Sequence, residues 1–194
     1  LLALAVTMSS VAPASAQALP DDAKMLELIK ARVDRGEAKG IVLGITEKGK
    51  HRVVAYGDPG AGAKPLGPDT VFEIGSVTKV FTGILLADMD ARGEVKMTAP
   101  AQTYAPAGLT FPRRNGKEIT LELLASQRSG LPRLPTNMKP ADMANPYADY
   151  TVAQLHEFVS GYELPRDPGA SYEYSNLGLG LLGHVLSSKA GKSY

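Results

Sequence analysis

The stretch Phe72-Glu73-Ile74-Gly75-Ser76-Val77-Thr78-Lys79 decides how this chain is read. It sets a serine and a lysine three residues apart at the start of an apolar run. On a helix, positions i and i+3 share a face, so the Ser76 hydroxyl and the Lys79 amine can meet. A serine hydroxyl is a poor nucleophile until a base takes its proton. Lysine serves as that base when its pKa falls from about 10.4 toward neutrality, and burial is one way to lower it. Val80, Phe81, Ile84 and Leu85 follow as an apolar stripe expected to supply that burial. The spacing alone has a plainer reading. Ser76 can be the N-cap of the helix, and Lys79 a solvated cation in its first turn, where the helix dipole disfavours it.

A second motif is needed, and Tyr174-Ser175-Asn176 provides a Y-x-N triplet. By itself it reads equally well as a surface turn, with Ser175 or Asn176 capping the next helix. The order S-x-x-K, a long and mostly helical stretch, then Y-x-N, resembles the serine β-lactamase and penicillin-binding-protein superfamily. The closest branch is that of class C β-lactamases with the related D-alanyl-D-alanine carboxypeptidases, endopeptidases and esterases. Other phrases agree. Leu124-Ala125-Ser126-Gln127-Arg128-Ser129-Gly130-Leu131-Pro132 is similar to the L-x-T-H-x-S-G-L-P of that family, and Gly93-Glu94-Val95-Lys96, Pro100 and Tyr104-Ala105-Pro106 follow its pattern. The resemblance runs from about Ile41 to Tyr194.

Two departures stand out. The usual histidine of the family's T-H-x-S-G-L phrase is Gln127 here, which alters local packing and hydrogen bonding. The third motif, K-T-G or H-x-G on a strand, is not found. Lys189-Ala190-Gly191 is nearest, but it reads as a basic last helical turn followed by a glycine stop. The expectation is an N-terminal fragment, residues 19–194, of one β-lactamase-like domain. As an isolated polypeptide it is expected to be inactive and to fold poorly, because half a sheet leaves an unpaired edge.

The resemblance implies an α+β fold, with an antiparallel sheet flanked by helices plus an all-α subdomain, the C-terminal strands lying beyond this chain. It implies acyl transfer, in which Ser76 attacks the carbonyl of a β-lactam, a D-Ala-D-Ala peptide or an ester. Lys79 and Tyr174 share the proton handling, with the base left open between them. Asn176 binds the substrate amide and orients Lys79, and the Ser76 backbone N–H forms half of an oxyanion hole. A member that acylates without turnover would instead be a penicillin-binding sensor. No cofactor is implied.

Composition excludes other classes. With 194 residues, 44% hydrophobic and 21% charged, the balance is that of a globular protein. A net charge of +1 gives no footprint for nucleic acid. The absence of cysteine removes disulfides, thiolate metal sites and a lipidated cysteine anchor. Residues 1–18 read as a signal peptide that lacks its start: an apolar run, then Ala14-Ser15-Ala16 and Ala16-Gln17-Ala18 as small-residue cleavage sites. That run is too short to span a membrane. A periplasmic or secreted location without a stable membrane anchor is expected.

Local signals predict the remaining elements. Asp21 or Asp22 caps a helix to about Arg35, with Leu26, Ile29 and Val33 inward and Gly36 as its stop. Ile41–Thr46 and Arg52–Gly57 form a hairpin around Gly49. The nucleophile helix stops near Gly93, and Thr120 starts a short helix. Residues 132–150, with four prolines, form an irregular loop. Thr151 caps a helix through Val152, Leu155, Phe158 and Val159, and a last helix covers about Leu177–Lys189. Gly178-Leu179-Gly180-Leu181-Leu182-Gly183 matches G-x-G-x-x-G without the strand that a dinucleotide site requires, so its glycines are expected to permit close helix packing. His51, His156 and His184 share no metal-binding spacing, and no G-x-S-x-G elbow surrounds a serine.

Overall fold

The computed structural model describes residues 19–194, so the expected signal peptide lies outside the described residues. The chain divides into two compact units, with the boundary in sequence between Glu73 and Ile74.

The first unit is a helix on a hairpin. Helix α1 spans Asp22–Asp34, and Asp21 caps it by accepting from the Lys24 N–H. Strands β1 (Gly40–Glu47) and β2 (Lys50–Gly57) pair antiparallel around Lys48 and Gly49, whose φ angles are 49° and 76°. Two positive φ values in a two-residue loop match the twist of the strands, which is why a glycine sits there. The register sets Ile41 opposite Tyr56 and Leu43 opposite Val54, on the face that meets α1. Met25 and Ile29 are the helix residues buried on that face. Leu26, expected inward, is 39% exposed. It lies about 100° around the helix from Met25, off the stripe that Met25 and Ile29 define.

The second unit is mainly helical. A single 3₁₀ turn, Gly75–Val77, leads into α2 (Thr78–Ala91), and α3 spans Leu121–Ala125, α4 Val152–Gly161 and α5 Asn176–Ala190. Thr120 caps α3, and Thr151 caps α4 through a reciprocal capping box with Gln154. Both caps follow the sequence signal, because a side-chain oxygen satisfies an orphan N–H of the first turn. The sequence reading passed over a short hairpin, β3 (Arg113–Arg114) with β4 (Lys117–Glu118), turning at Asn115 and Gly116 with φ of 50° and 74°. Residues 132–150 form an irregular loop, as expected.

Helix α5 is the centre of this unit. Leu181, Leu182, Val185 and Leu186 are fully buried, against Leu86 and Met89 of α2, Leu121 and Leu124 of α3, and Val159 of α4. A helix apolar around most of its circumference is stable only inside a core. Its glycines divide. A Cβ on Gly178 would lie 3.3 Å from Ser175 Oγ, and one on Gly183 would lie 2.6 Å from the Tyr194 ring, whereas Gly180 faces open space. Close packing therefore explains Gly178 and Gly183 only. All three lie within one helix, with no strand before them, so the fingerprint is not a dinucleotide site.

The apolar stripe of α2 corrects an expectation. Thr82, Leu86 and Met89 form its buried face, while Val80, Phe81 and Ile84 are 58%, 59% and 58% exposed. These three side chains therefore do not wrap Lys79, which is half-buried.

His156 of α4 and His184 of α5 meet with Nε2 atoms 2.9 Å apart. One ring donates and the other accepts, so at least one of the two imidazoles is neutral while the bond is made. Burial first, and then His156, hold the His184 imidazole below its ordinary value of 6.5. A base depressed by folding contributes stability that is present above its unfolded pKa and is lost as pH falls below it. The melting temperature should therefore drop as pH is lowered from about 7 toward 5. The drop should be smaller in His184→Gln, which keeps a hydrogen-bonding group but does not titrate. Equal slopes for the two proteins would refute this assignment.

Candidate active site

Gly75 enters the site with φ of 52°, and this left-handed residue turns the chain into the 3₁₀ turn that carries Ser76. Glycine reaches that conformation without the clash a Cβ would make. Helix α2 starts at Thr78, with Val77 at its N-cap position and no side-chain cap. Ser76 is therefore not a capping serine. Its Oγ accepts a hydrogen bond from Lys79 Nζ at 3.0 Å and lies 2.5 Å from the Tyr174 hydroxyl. The expected encounter of Ser76 and Lys79 is present, and Tyr174 joins them from 98 residues away in sequence.

Tyr174 lies in the extended segment before α5, and a second segment fixes it there. Gln127 is the anchor. Its backbone carbonyl accepts from the Glu173 N–H at 2.8 Å, and its side-chain Oε1 accepts from the Ser175 N–H at 2.6 Å. The two bonds bracket Tyr174. Gln127 makes them from a left-handed backbone with φ of 62°, a conformation that costs a non-glycine residue about 1–3 kcal/mol. Ser175 Oγ donates to the Pro132 carbonyl at 2.6 Å and accepts from the Gly178 N–H at 2.8 Å, which caps α5. The Arg133 carbonyl accepts from the Asn176 and Leu177 N–H groups at 3.0 and 3.2 Å. The Ser126–Pro132 phrase thus holds the Y-x-N triplet. The departure at Gln127 was visible in the sequence; its partners were not.

Two cations lie over the Tyr174 ring, Lys79 Nζ at 4.9 Å and the Arg133 guanidinium carbon at 5.1 Å from its centroid. Lys79 above all, then the Ser76 hydroxyl, and more weakly the Arg133 charge, hold the Tyr174 phenol below its ordinary value of 10.0. Each favours the phenolate, by opposite charge or by hydrogen bonding to it. Arg133 was not singled out by sequence reading, because nothing local marks a residue that acts across a loop.

Asn176 lines the same cavity as Ser76 and Lys79. Its backbone N–H is used, but its buried Oδ1 has no hydrogen-bond partner. No hydrogen bond joins Asn176 to Lys79, whose Nζ donates to Ser76 Oγ. An unpaired buried acceptor is costly, and Asn176 Oδ1 is one beside the cavity. Among the described residues no three His, Cys, Asp or Glu side chains cluster to hold a metal, and no helix is long and apolar enough to cross a membrane.

The electrostatics of Tyr174 are directly measurable. NMR titration of ring-labelled tyrosine should show Tyr174 ionising at higher pH in Lys79→Met than in the native protein, with a smaller upward shift in Arg133→Gln. An unchanged titration in Lys79→Met would remove the lysine as the cause.

Comparison with known proteins adds the family. The profile of the family described as Beta-lactamase matches residues 25–194. The D-alanyl-D-alanine-carboxypeptidase/endopeptidase AmpH of Escherichia coli K12 is 34% identical over 161 residues, covering 81% of this chain and 40% of that protein. A beta-lactamase of the same strain is 30% identical over 197 residues, covering all of this chain and 48% of that protein. The chain thus spans less than half the length of these two relatives. Among solved structures, a beta-lactamase/D-alanine carboxypeptidase from Yersinia pestis, complexed with citrate, superimposes with a TM-score of 0.71 at 28% identity over 89% of this chain and 50% of that one. A class C beta lactamase from Rhodobacter sphaeroides gives 0.68 at 28% identity over 89% and 45%. The α+β architecture is that of the β-lactamase/transpeptidase fold, and the chain belongs to the beta-lactamase family.

Proposed function

We propose that the full-length protein is a serine hydrolase that works through an acyl-enzyme on β-lactams or D-Ala-D-Ala-type peptides, with esters as a further substrate class. The observation that carries this reading is the Ser76 hydroxyl held between Lys79 Nζ and the Tyr174 hydroxyl. A nucleophile within hydrogen-bond reach of two groups that can move its proton is the signature of covalent catalysis. The names of the relatives, a carboxypeptidase/endopeptidase and a beta-lactamase, support the same chemistry.

In this reading Tyr174, as phenolate, takes the Ser76 proton, and Lys79 stabilises the phenolate charge. The lowered Tyr174 pKa and the 2.5 Å approach support that choice over Lys79 as base. Ser76 Oγ bonds to the substrate carbonyl carbon, and the carbon–nitrogen bond breaks. The leaving nitrogen collects the proton from Tyr174. Asn176, which lines the same cavity, hydrogen-bonds the substrate amide, and the Ser76 N–H contributes half of an oxyanion hole. Water then hydrolyses the ester and restores the Ser76 hydroxyl. No cofactor or metal enters this sequence. Residues 1–18 support an exported protein, in the compartment where peptidoglycan and β-lactams are met.

Time-resolved labelling with a fluorescent penicillin tests the proposal. Label should appear on the full-length protein and not on Ser76→Ala. Label that clears as penicillin is consumed identifies a β-lactamase, and label that persists identifies a peptidase or a sensor. Absence of Ser76-dependent label overturns penicillin recognition. Tyr174→Phe should slow labelling by about 10²–10⁴-fold, the usual contribution of a positioned acid or base.

Gln127 has its own test. Gln127→Leu leaves the buried Ser175 N–H without its acceptor, a loss of about 1–3 kcal/mol, and should slow labelling by loosening Tyr174. Gln127→Glu retains an acceptor and should recover much of the rate. Equal rates in the native protein and Gln127→Leu would show that the clamp does not position the site.

A further inference from the structure

Packing of α4 on α5 joins two residues that no helical spacing would bring together. His156 and His184, 28 positions apart, place their Nε2 atoms 2.9 Å from one another. Their ring centroids are 5.1 Å apart and the ring planes are tilted by 54°. Both side chains are half-buried, so solvent reaches the pair. The helices that carry them are fixed. Val159, one turn beyond His156, is fully buried, as are Leu181, Leu182, Val185 and Leu186 on either side of His184.

Imidazole nitrogen is the commonest protein ligand for borderline divalent cations such as Zn²⁺. Two nitrogens that share one tetrahedral zinc, each about 2.0–2.1 Å from it, lie about 3.3 Å apart. The histidine pair is about 0.4 Å closer than that. A small rotation of either side chain opens the bite, and the helices need not move. The present hydrogen bond uses one Nε2 proton. Moving that proton to Nδ1 of the same ring leaves a lone pair on each Nε2 for the ion, and no net proton is released.

Among the described residues no third His, Cys, Asp or Glu joins the pair, so water fills the remaining coordination positions. A cavity of about 440 Å³ opens on His184, and the hydroxyls of Ser187, Ser188, Ser193 and Tyr194 line it as partners for such waters. Lys192 lines the same cavity but is exposed, and its long stem lets the ammonium turn to solvent when a cation enters.

We propose that His156 and His184 form a two-histidine site for a borderline divalent cation of the zinc type, bridging α4 and α5. Mg²⁺ and Ca²⁺, which take oxygen ligands, do not suit it. The bridge ties α4, whose Leu155 lines the Ser76 cavity, to α5, which begins at Asn176. The ion clamps the two helices and takes no part in acyl transfer, so the site stands independently of the function proposed above.

Zinc chloride titrated into the full-length protein, followed by NMR of the histidine ring nitrogens, tests this. At one equivalent the Nε2 signals of His156 and His184 should shift together, with both rings in the Nδ1–H tautomer, while His51 stays in place. The melting temperature should rise with zinc and not with Mg²⁺. His156→Gln and His184→Gln should each weaken zinc binding at least about tenfold, because even a group that only supports a metal ligand is worth that much. If a variant fails to fold, the ring signals of the native protein decide. A shift confined to one ring, or to neither, overturns the site. So does a zinc affinity unchanged in the folded variants, or an equal rise in melting temperature with Mg²⁺.

Discussion

The site depends on one residue making two hydrogen bonds from an unfavourable backbone. Gln127, at φ of 62°, accepts the Glu173 N–H on its own carbonyl and the Ser175 N–H on its side chain. That bracket holds the extended segment on either side of Tyr174, and the Pro132 and Arg133 carbonyls fix the residues that follow it. The strain is local and modest, and it is offset by satisfying two N–H groups, one of them on the buried Ser175. Ser175 then extends the arrangement, because its hydroxyl ties the Pro132 carbonyl to the first turn of α5. Helix α5 in turn is locked by its buried leucines.

This arrangement assigns different jobs to different levels of structure. The core of the second unit sets the positions of α2 and α5 with apolar contacts, which are strong but not directional. The directional work falls to a few polar groups at the ends of those helices. Ser76 precedes the first turn of α2, and Tyr174 and Asn176 flank the N-cap of α5. Rigid helices thereby aim short segments whose own conformations are irregular. Among the described residues, Asn176 Oδ1 is the buried side-chain acceptor left without a hydrogen-bond partner, and it lies beside the cavity at Ser76.

Charge follows the same logic. Two cations over the Tyr174 ring favour its ionised form, and that form takes a proton more readily than a neutral phenol does. Lys79 reaches the ring from α2 and Arg133 from the loop, so proton chemistry at Tyr174 is coupled to both elements.

The sequence by itself determined what is local. Caps at Asp21, Thr120 and Thr151, the glycine stops, the Lys48–Gly49 turn and the S-x-x-K spacing all act within a few residues, and each was legible. The motif order pointed to Ser76, Lys79, Tyr174 and Asn176, and the structure places all four at one cavity mouth or beside it. Tertiary structure decided the rest. The apolar stripe of Val80, Phe81 and Ile84 read as burial for Lys79, yet it faces outward, because periodicity reveals that a helix has an apolar face and not what that face meets. The grip of Gln127 on residues 173–175, the Arg133 charge over Tyr174 and the His156–His184 pair join residues far apart in the chain. Such contacts follow from how the elements pack, and no local pattern encodes them.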